Sequence, residues 1–97
     1  MTLDEAVKHL DTAQEDLMLC AREPWSKNSE CLLFVPDETL TVPQSLKDIG
    51  FVYFLEVSTA REVLGVFGGK PPTDEEKIRL LIHYAENDAY PEWVYKR

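Results

Sequence analysis

The side chains best placed to do chemistry lie near the C-terminus, where His83 follows Arg79 by about one helical turn and precedes Glu86 by nearly one. A histidine between a cation and a carboxylate is a candidate general base or metal ligand. A metal site needs three or more protein ligands, and the only other histidine is His9, on a different predicted helix. The spacing therefore favours a surface histidine in a row of charged side chains, and we predict no catalytic residue and no bound metal.

Glu56 is the one acid in the apolar run of residues 51–57, and Arg61 follows it by five positions. A buried carboxylate is costly unless it is paired or hydrogen-bonded. We predict that Glu56 and Arg61 form a structural ion pair where a strand turns into a helix. The alternative is that Glu56 marks a binding site at the carboxyl end of that strand.

Known catalytic and cofactor motifs are absent from the sequence. Gly68 and Gly69 follow a predicted helix instead of opening one after a strand, so they do not form a phosphate-binding loop. The sequence contains no nucleophile elbow and no dinucleotide fingerprint. Its basic residues are single and scattered, whereas a nucleic-acid-binding protein clusters them. We expect no cofactor, no enzymatic activity and no direct contact with nucleic acid.

Carboxylates dominate the charge of the chain, with 18 acids against 10 bases and a net charge of −8. Nine acids and three bases fall in residues 1–38, a net charge of −6, and nine acids and seven bases in residues 39–97, a net charge of −2. Such a surface repels nucleic acid and anionic membranes and favours a protein partner with a basic surface. The alternative is a chain that is acidic only for solubility.

The first helix is predicted over residues 3–13, after a capping box at residues 2–5. At about 100° per residue, Asp4, Asp11 and Glu15 lie on one outward stripe of this helix. A row of carboxylates imitates the spaced charge of a nucleic-acid backbone, and it is also the ordinary solvated face of an amphipathic helix. We take Asp4, Asp11 and Glu15 as candidate partner-binding residues.

Two tryptophans are further candidates for partner contact. Trp25 follows Pro24 in the polar loop 22–30, and Trp93 lies in the aromatic tail 90–97. A rigid aromatic side chain on a loop gives a large contact area for little entropy. The alternative for Trp25 is that it folds over the hairpin and closes the core. An aromatic tail is expected to dock either on the rest of the chain or on a partner.

The two cysteines lie in predicted strands, residues 17–21 and 31–35, that form an antiparallel hairpin. If the pairing is centred on the intervening loop, Cys20 and Cys31 lie opposite each other and their sulfurs come near bonding range. A reducing cytosol instead favours free thiols that pack as small apolar groups. Two cysteines without a second matching pair do not indicate a zinc site.

Residues 51–67 are the stretch around which we expect the fold to be organised. Residues 51–57 are almost all β-branched, aromatic or aliphatic, which is typical of a buried strand. Apolar residues at helical spacing follow, with Ser58 or Thr59 placed to cap the helix. A short helix from Pro43 to about Lys47 is predicted before this strand. The longest helix, from a capping box at residues 73–76 to about Asp88, is predicted after it.

The predicted fold is α+β, in the order helix, strand, strand, short helix, strand, helix, helix. A small three-stranded sheet, made of the hairpin and strand 51–57, is covered by helices, and the apolar character of strand 51–57 favours the middle of the sheet. The length predicts a single domain over residues 1–97. The N-terminus lacks a signal-peptide pattern and no segment approaches about 20 apolar residues, which predicts a cytoplasmic protein without membrane contact.

Three segments together resemble a family of small uncharacterised bacterial domains. They are Glu23-Pro24-Trp25, the run from Tyr53 to Val57 continuing into Ala60-Arg61-Glu62-Val63-Leu64, and the run from Pro72 to Lys77 leading to Leu81-Ile82, Tyr84-Ala85 and Asn87-Asp88-Ala89. The resemblance implies a bacterial or phage setting and a role for the end of the last helix. It implies no activity.

The first functional hypothesis is a non-enzymatic acidic protein that binds a basic protein partner. Immunity proteins, antitoxins and phage anti-defence inhibitors share this small, acidic form, commonly to block a nuclease, and the comparison rests on size and charge alone. The alternative is a housekeeping module that self-assembles, for example as a homodimer, or docks on a partner through its aromatic tail.

Overall fold

The structure is a computed structural model that describes residues 1–36, 38–39 and 41–96. Its elements are α1 (Leu3–Lys8), a first 3₁₀ helix (Leu10–Thr12), β1 (Met18–Arg22), β2 (Cys31–Phe34), α2 (Gln44–Lys47), β3 (Phe51–Glu56), α3 (Val57–Leu64), α4 (Asp74–Asn87) and a C-terminal 3₁₀ helix (Glu92–Tyr95). The predicted α+β class and element order are confirmed. Asp37 and Leu40 of the predicted loop and Arg97 of the predicted tail lie outside the described residues.

The sheet has the order β2-β1-β3 with both pairs antiparallel, so β1 takes the middle. Residues 18–21 of β1 are each at most 2% exposed, whereas Val52 and Tyr53 of β3 are 39% and 41% exposed. The prediction that strand 51–57 takes the middle is therefore wrong. Its apolar composition has a different cause, because an edge strand whose side chains reach cores on both faces of a sheet is also apolar.

A β-bulge in β3 lets this edge strand serve both faces. Leu19 pairs with Leu55 while Cys20 pairs with Tyr53, so Phe54 is the extra residue. Phe54 and Leu55 are both buried in the same core, although they are adjacent in the chain. The bulge thus turns two successive side chains toward the helices and leaves Phe51 and Tyr53 for the opposite face.

The two faces of the sheet are covered unequally. On one face α1, α3, α4 and the two 3₁₀ helices enclose the main core, whose buried members are Leu3, Ala6, Val7, Leu10, Leu19, Ala21, Cys31, Phe54, Leu55, Val57, Ala60, Val63, Ile78, Leu80, Leu81 and Val94. The other face has a small cluster of Cys20, Val42 and Phe51, against which Phe34 and Leu46 are half-buried. Among the described residues this second layer is thin, and Leu32 and Tyr53, which both pair with Cys20, are 36% and 41% exposed.

The continuous helix predicted over residues 3–13 is interrupted at His9. The capping box between Thr2 and Glu5 is confirmed, with the Thr2 hydroxyl accepting from the Glu5 N–H at 3.2 Å. The chain leaves the α-helix after Lys8 and resumes as the first 3₁₀ helix, which buries Leu10. Carboxylates on either side of this break no longer share one straight stripe.

Arg61 donates hydrogen bonds to the backbone that follows this break. Its Nε donates to the carbonyl of Leu10 at 2.8 Å, one Nη donates to the carbonyl of Ala13, and the other lies 3.3 Å from Glu15. The predicted ion pair with Glu56 is therefore wrong. Helix α3 begins directly at Val57 without a side-chain cap, instead of at a Ser58 or Thr59 cap, which puts Arg61 in its second turn beside the 3₁₀ helix.

The hairpin register separates the two cysteines. Cys20 pairs with Leu32, and Ala21 pairs with Cys31. The alternative in which Cys20 and Cys31 lie opposite each other is therefore wrong by one residue, and a one-residue offset turns side chains to opposite faces of a sheet. Both thiols are free and fully buried, one in each core.

The last helix and the end of the chain follow the predicted pattern. The capping box of Thr73 and Glu76 is confirmed, and α4 ends before Asp88, which has a left-handed backbone with φ of 53°. The C-terminal 3₁₀ helix then folds back on the chain and buries Val94. None of the described helices is both long and apolar enough to cross a membrane.

We predict that Arg61→Met lowers the free energy of unfolding by about 2 kcal/mol or more, because the carbonyls of Leu10 and Ala13 lose a charged donor. Urea denaturation at neutral pH measures this change. Glu15→Gln is the matched control, because it removes only the ion pair with Arg61. The Glu15 side chain is 76% exposed, so this substitution should lower the free energy of unfolding by less than about 1 kcal/mol. Equal losses in the two variants would contradict the role assigned to the carbonyl contacts.

We predict that stability falls as the pH rises above 9, because burial raises the pKa of the Cys31 thiol from 9.0 to about 12. Between these values the unfolded chain loses the Cys31 proton while the folded chain keeps it, which favours unfolding with a slope of at most about 1.4 kcal/mol per pH unit. Urea denaturation from pH 8 to 11 measures the slope. Cys31→Ala should have a shallower slope, and an unchanged slope would contradict this assignment.

Candidate functional site

A groove of about 600 Å³ lies beside β3, on the thinly covered face of the sheet. We call it the β3 groove. Its lining residues are Met18, Thr41, Val42, Lys47, Gly50, Phe51, Val52, Tyr53 and Glu56. Most of this lining is apolar, and the charged side chains are Lys47 and Glu56. The β3 groove therefore offers an apolar floor with one cation and one carboxylate.

Local backbone geometry sets the two charges apart. α2 ends at Lys47, and the N–H of Gly50 donates to the Lys47 carbonyl at 3.0 Å. Gly50 has φ of +94°, a conformation that L side chains rarely adopt, and it turns the chain directly into Phe51. Lys47 thus lies near the start of β3 and Glu56 at its end, about 16 Å along the strand at 3.3 Å per residue.

A second depression of about 260 Å³ continues the β3 groove past Glu56. It shares Met18 and Glu56 with the groove and adds Glu15 and Asp16 to its lining. We call Glu15, Asp16 and Glu56 the acidic rim. Among the described residues, Glu15 is paired with Arg61, whereas Asp16 and Glu56 form no ion pair. One end of the groove therefore presents carboxylates without a bound cation.

Tyr53 connects the floor of the groove to this acidic end. Burial raises the pKa of the Tyr53 phenol, and the negative charge of Glu56, with smaller contributions from Asp88 and Tyr84, raises it further, while a hydrogen bond with the Glu56 backbone opposes the shift. The phenol therefore stays protonated at neutral pH. It supplies a polar, uncharged tip at the side of an otherwise apolar groove.

The three acids predicted as partner-binding residues are separated in the structure. Asp4 lies on α1 and is paired with Lys8 at 3.2 Å. Asp11 lies on the first 3₁₀ helix and is exposed. Glu15 follows that helix and belongs to the acidic rim. Of the three, only Glu15 lines the groove or its continuation.

Both tryptophans predicted as partner contacts pack on the chain itself. Trp25 donates from Nε1 to the Ala21 carbonyl at 3.2 Å, and its ring meets Phe54 edge to face with centroids 5.0 Å apart. Trp93 lies 6.0 Å from the ring of Phe67. For Trp25 this is the core-closing alternative, and for the tail it is docking on the rest of the chain.

The tail keeps some aromatic surface in solvent. Tyr90 and Tyr95 are 37% and 68% exposed. The Tyr90 ring lies 5.4 Å from that of Tyr84 on α4, so its orientation is fixed by a neighbour. Exposed, oriented tyrosines are frequent at protein interfaces.

Among the charged residues around His83, Arg79 contacts the C-terminal tail. The Arg79 guanidinium lies 4.4 Å from the centre of the Trp93 ring, which holds the tail against α4 by a cation–π contact. In the part of the chain that the structure describes, no group of three histidine, cysteine, aspartate or glutamate side chains is placed to hold a metal ion.

The sequence argument missed Lys47 and Tyr53 as site residues. Both were hidden by the assumption that strand 51–57 is buried on two sides. Had β3 been assigned to an edge, alternation along the strand would have placed Phe51 and Tyr53 on one face. Strict alternation puts Glu56 on the other face, and it is the β-bulge at Phe54 that brings Glu56 to the face of Tyr53. The carboxyl-end alternative for Glu56 did point to this place.

Comparison with known proteins identifies the family. Residues 1–93 match a family described as a domain of unknown function, DUF7716. Since the match spans nearly the whole sequence, the chain belongs to this family, and the resemblance to a family of small uncharacterised domains is confirmed. Neither the curated proteins nor the solved structures yield a match.

Proposed function

We propose that this protein is a non-enzymatic binding protein that docks on a basic surface of a protein partner through the β3 groove and the acidic rim. The observation that supports this function most directly is the acidic end of the groove, where Asp16 and Glu56 form no ion pair among the described residues. The net charge of −8 has the same sign as this end.

The two parts of the site contribute in different ways. Within the groove lining, Val52 and Tyr53 are 39% and 41% exposed and supply the area that is removed from water on binding, whereas Met18 and Phe51 are already buried. The carboxylates of the acidic rim and the net negative field speed encounter with a basic surface and reject acidic surfaces. A basic partner therefore gains both affinity and selectivity.

The form of this function that we favour is inhibition. A basic surface on an enzyme that acts on nucleic acid is the surface that holds the phosphates, so an acidic protein seated on it competes with the substrate. Immunity proteins and phage anti-defence inhibitors are the analogy for this function, which rests on size and charge. We place the activity in the cytoplasm, as the acidic N-terminus without a signal-peptide pattern suggests.

We predict that tagged protein captures a basic protein from lysate of the source cell, and that the double variant Asp16→Lys/Glu56→Lys loses at least about nine-tenths of this capture. Mass spectrometry of the eluate measures the amount, at about 0.1 M and about 0.5 M salt, because exposed charge pairs are screened as salt rises. Wild-type capture should fall at the higher salt.

Two matched variants locate the contact. Glu86→Lys reverses one exposed carboxylate on α4 that does not line the groove, and Asp11→Lys reverses one on the first 3₁₀ helix. Glu86→Lys should leave capture unchanged. A loss confined to Asp11→Lys would move the contact to the N-terminal face, and capture that survives the groove double variant would refute the proposed function.

A second candidate function is docking or self-assembly through the aromatic tail, favoured by the exposed rings of Tyr90 and Tyr95. We predict for it that Tyr90→Ser/Tyr95→Ser lowers the mass in solution while the melting temperature stays within a few degrees. Sedimentation velocity and differential scanning calorimetry provide the two readings. Trp93→Ala is the contrasting variant, since it should lower the melting temperature by removing the packing on Phe67. An unchanged mass in the tyrosine variant would exclude self-assembly through the tail.

A further inference from the structure

The charge pattern of the β3 groove is complementary to itself. A cation, Lys47, lies near the start of β3, apolar and aromatic side chains follow, and a carboxylate, Glu56, lies at its end. A second copy that approaches in the antiparallel direction presents the same series in reverse. Each Lys47 then lies beside the Glu56 of the other copy, so two opposite-charge contacts form about one two-fold axis.

The outer edge of β3 is available for this approach. β3 pairs with β1 alone in the three-stranded sheet that the structure describes. Val52 and Tyr53 on this edge are 39% and 41% exposed, and Ile49, just before the strand, is about half exposed. An edge strand that carries exposed apolar side chains is a site for association with another strand.

We infer that two copies of this chain pack groove against groove, with their β3 strands antiparallel and Lys47 of each copy contacting Glu56 of the other. Each copy completes the site of its neighbour, because it supplies the cation that Asp16 and Glu56 lack within one chain. The exposed side chains of Val52 and Tyr53 become buried in the same step.

The dimer is expected to be weak. Each copy carries a net charge of −8, so the long-range interaction between copies is repulsive. At physiological ionic strength the Debye length is about 8 Å, which screens this repulsion more than it screens contacts inside the interface. Monomers therefore prevail at low protein concentration, and dimers form as the concentration rises.

Charge reversal tests the inference with purified protein alone. Sedimentation equilibrium at about 0.15 M salt measures the dissociation constant of wild-type protein and of Lys47→Glu, Glu56→Lys and the double variant Lys47→Glu/Glu56→Lys. Each single reversal converts both contacts into repulsions and should weaken the dimer by about tenfold or more. The double variant restores both contacts with the polarity exchanged, and it should return to within about threefold of wild type.

Net charge alone predicts a different order of affinities. Glu56→Lys lowers the magnitude of the net charge by two and Lys47→Glu raises it by two, so general repulsion would strengthen the first dimer and weaken the second. Glu86→Lys is the control, with the same charge change as Glu56→Lys on a residue outside the groove. Weakening in both single variants with recovery in the double variant supports reciprocal contacts.

Dilution of ¹⁵N-labelled protein gives a second, independent reading. Amide shifts that depend on concentration should concentrate in residues 47–56. Shifts confined to residues 90–96 would assign self-association to the tail and overturn the inference. A wild-type protein that stays monomeric at about 1 mM, or a double variant no tighter than the single ones, would also overturn it.

The inference and the proposed function fail separately. The dimer is measured without a partner, and partner capture is measured at protein concentrations where monomers prevail. A monomeric protein that loses its basic partner with Asp16→Lys/Glu56→Lys keeps the proposed function and refutes the dimer. The opposite result is a dimer that Lys47→Glu/Glu56→Lys restores, together with partner capture that Asp16→Lys/Glu56→Lys leaves unchanged. That result supports the dimer and refutes the proposed function.

Discussion

The burial of β1 on both of its faces is the constraint on which the rest of the structure depends. Strands β2 and β3 occupy its two edges, and residues 18–21 lose almost all contact with solvent. Because β1 uses the central position, β3 remains at an edge, where one side of the strand pairs with no other strand in the described part of the chain. The β3 groove exists for this reason, since a central β3 would have had its outer edge covered by another strand.

The break in the N-terminal helix is coupled to the charge of the site. When the chain leaves α1 at His9, the carbonyls of Leu10 and Ala13 lie within reach of Arg61, which binds both and Glu15 as well. The guanidinium is thereby held on the side of the 3₁₀ helix and does not neutralise Glu56. A single arginine thus stabilises an irregular backbone and leaves the acidic rim with excess negative charge.

The sequence predicts those features that depend on local patterns. Both capping boxes, the α4 helix and the switch from strand to helix near residue 57 follow from the spacing of polar and apolar residues. It does not predict features that depend on register or on competition between partners. The face of the sheet on which each cysteine lies depends on a one-residue offset in register, and the order of the strands depends on which apolar run is covered. The partners of Arg61 depend on competition between carbonyl and carboxylate acceptors that are distant in the chain.

The same limit applies to the candidate site. Glu56 was identifiable as the one acid in an apolar run and Glu15 as a member of an acidic stripe, but their approach depends on how residues 15–18 cross the end of β3. Trp25 and Trp93 were attractive candidates because large aromatics often anchor interfaces. In this fold their area is used for packing on Phe54 and Phe67. The less conspicuous Tyr53, which is 41% exposed, is an aromatic side chain that the groove lining offers to a partner, whereas Phe51 is buried.

Glu56 links the two proposals physically. A half-buried carboxylate without a cation has lost part of its hydration and has received no ion pair in return, so any occupant that brings a cation restores a favourable interaction. A basic partner and the Lys47 of a second copy both satisfy this condition, and both would occupy the same apolar floor. The basic partner and the second copy therefore exclude each other. At high protein concentration self-association would cover the binding surface, and dilution or a partner of higher affinity would expose it again.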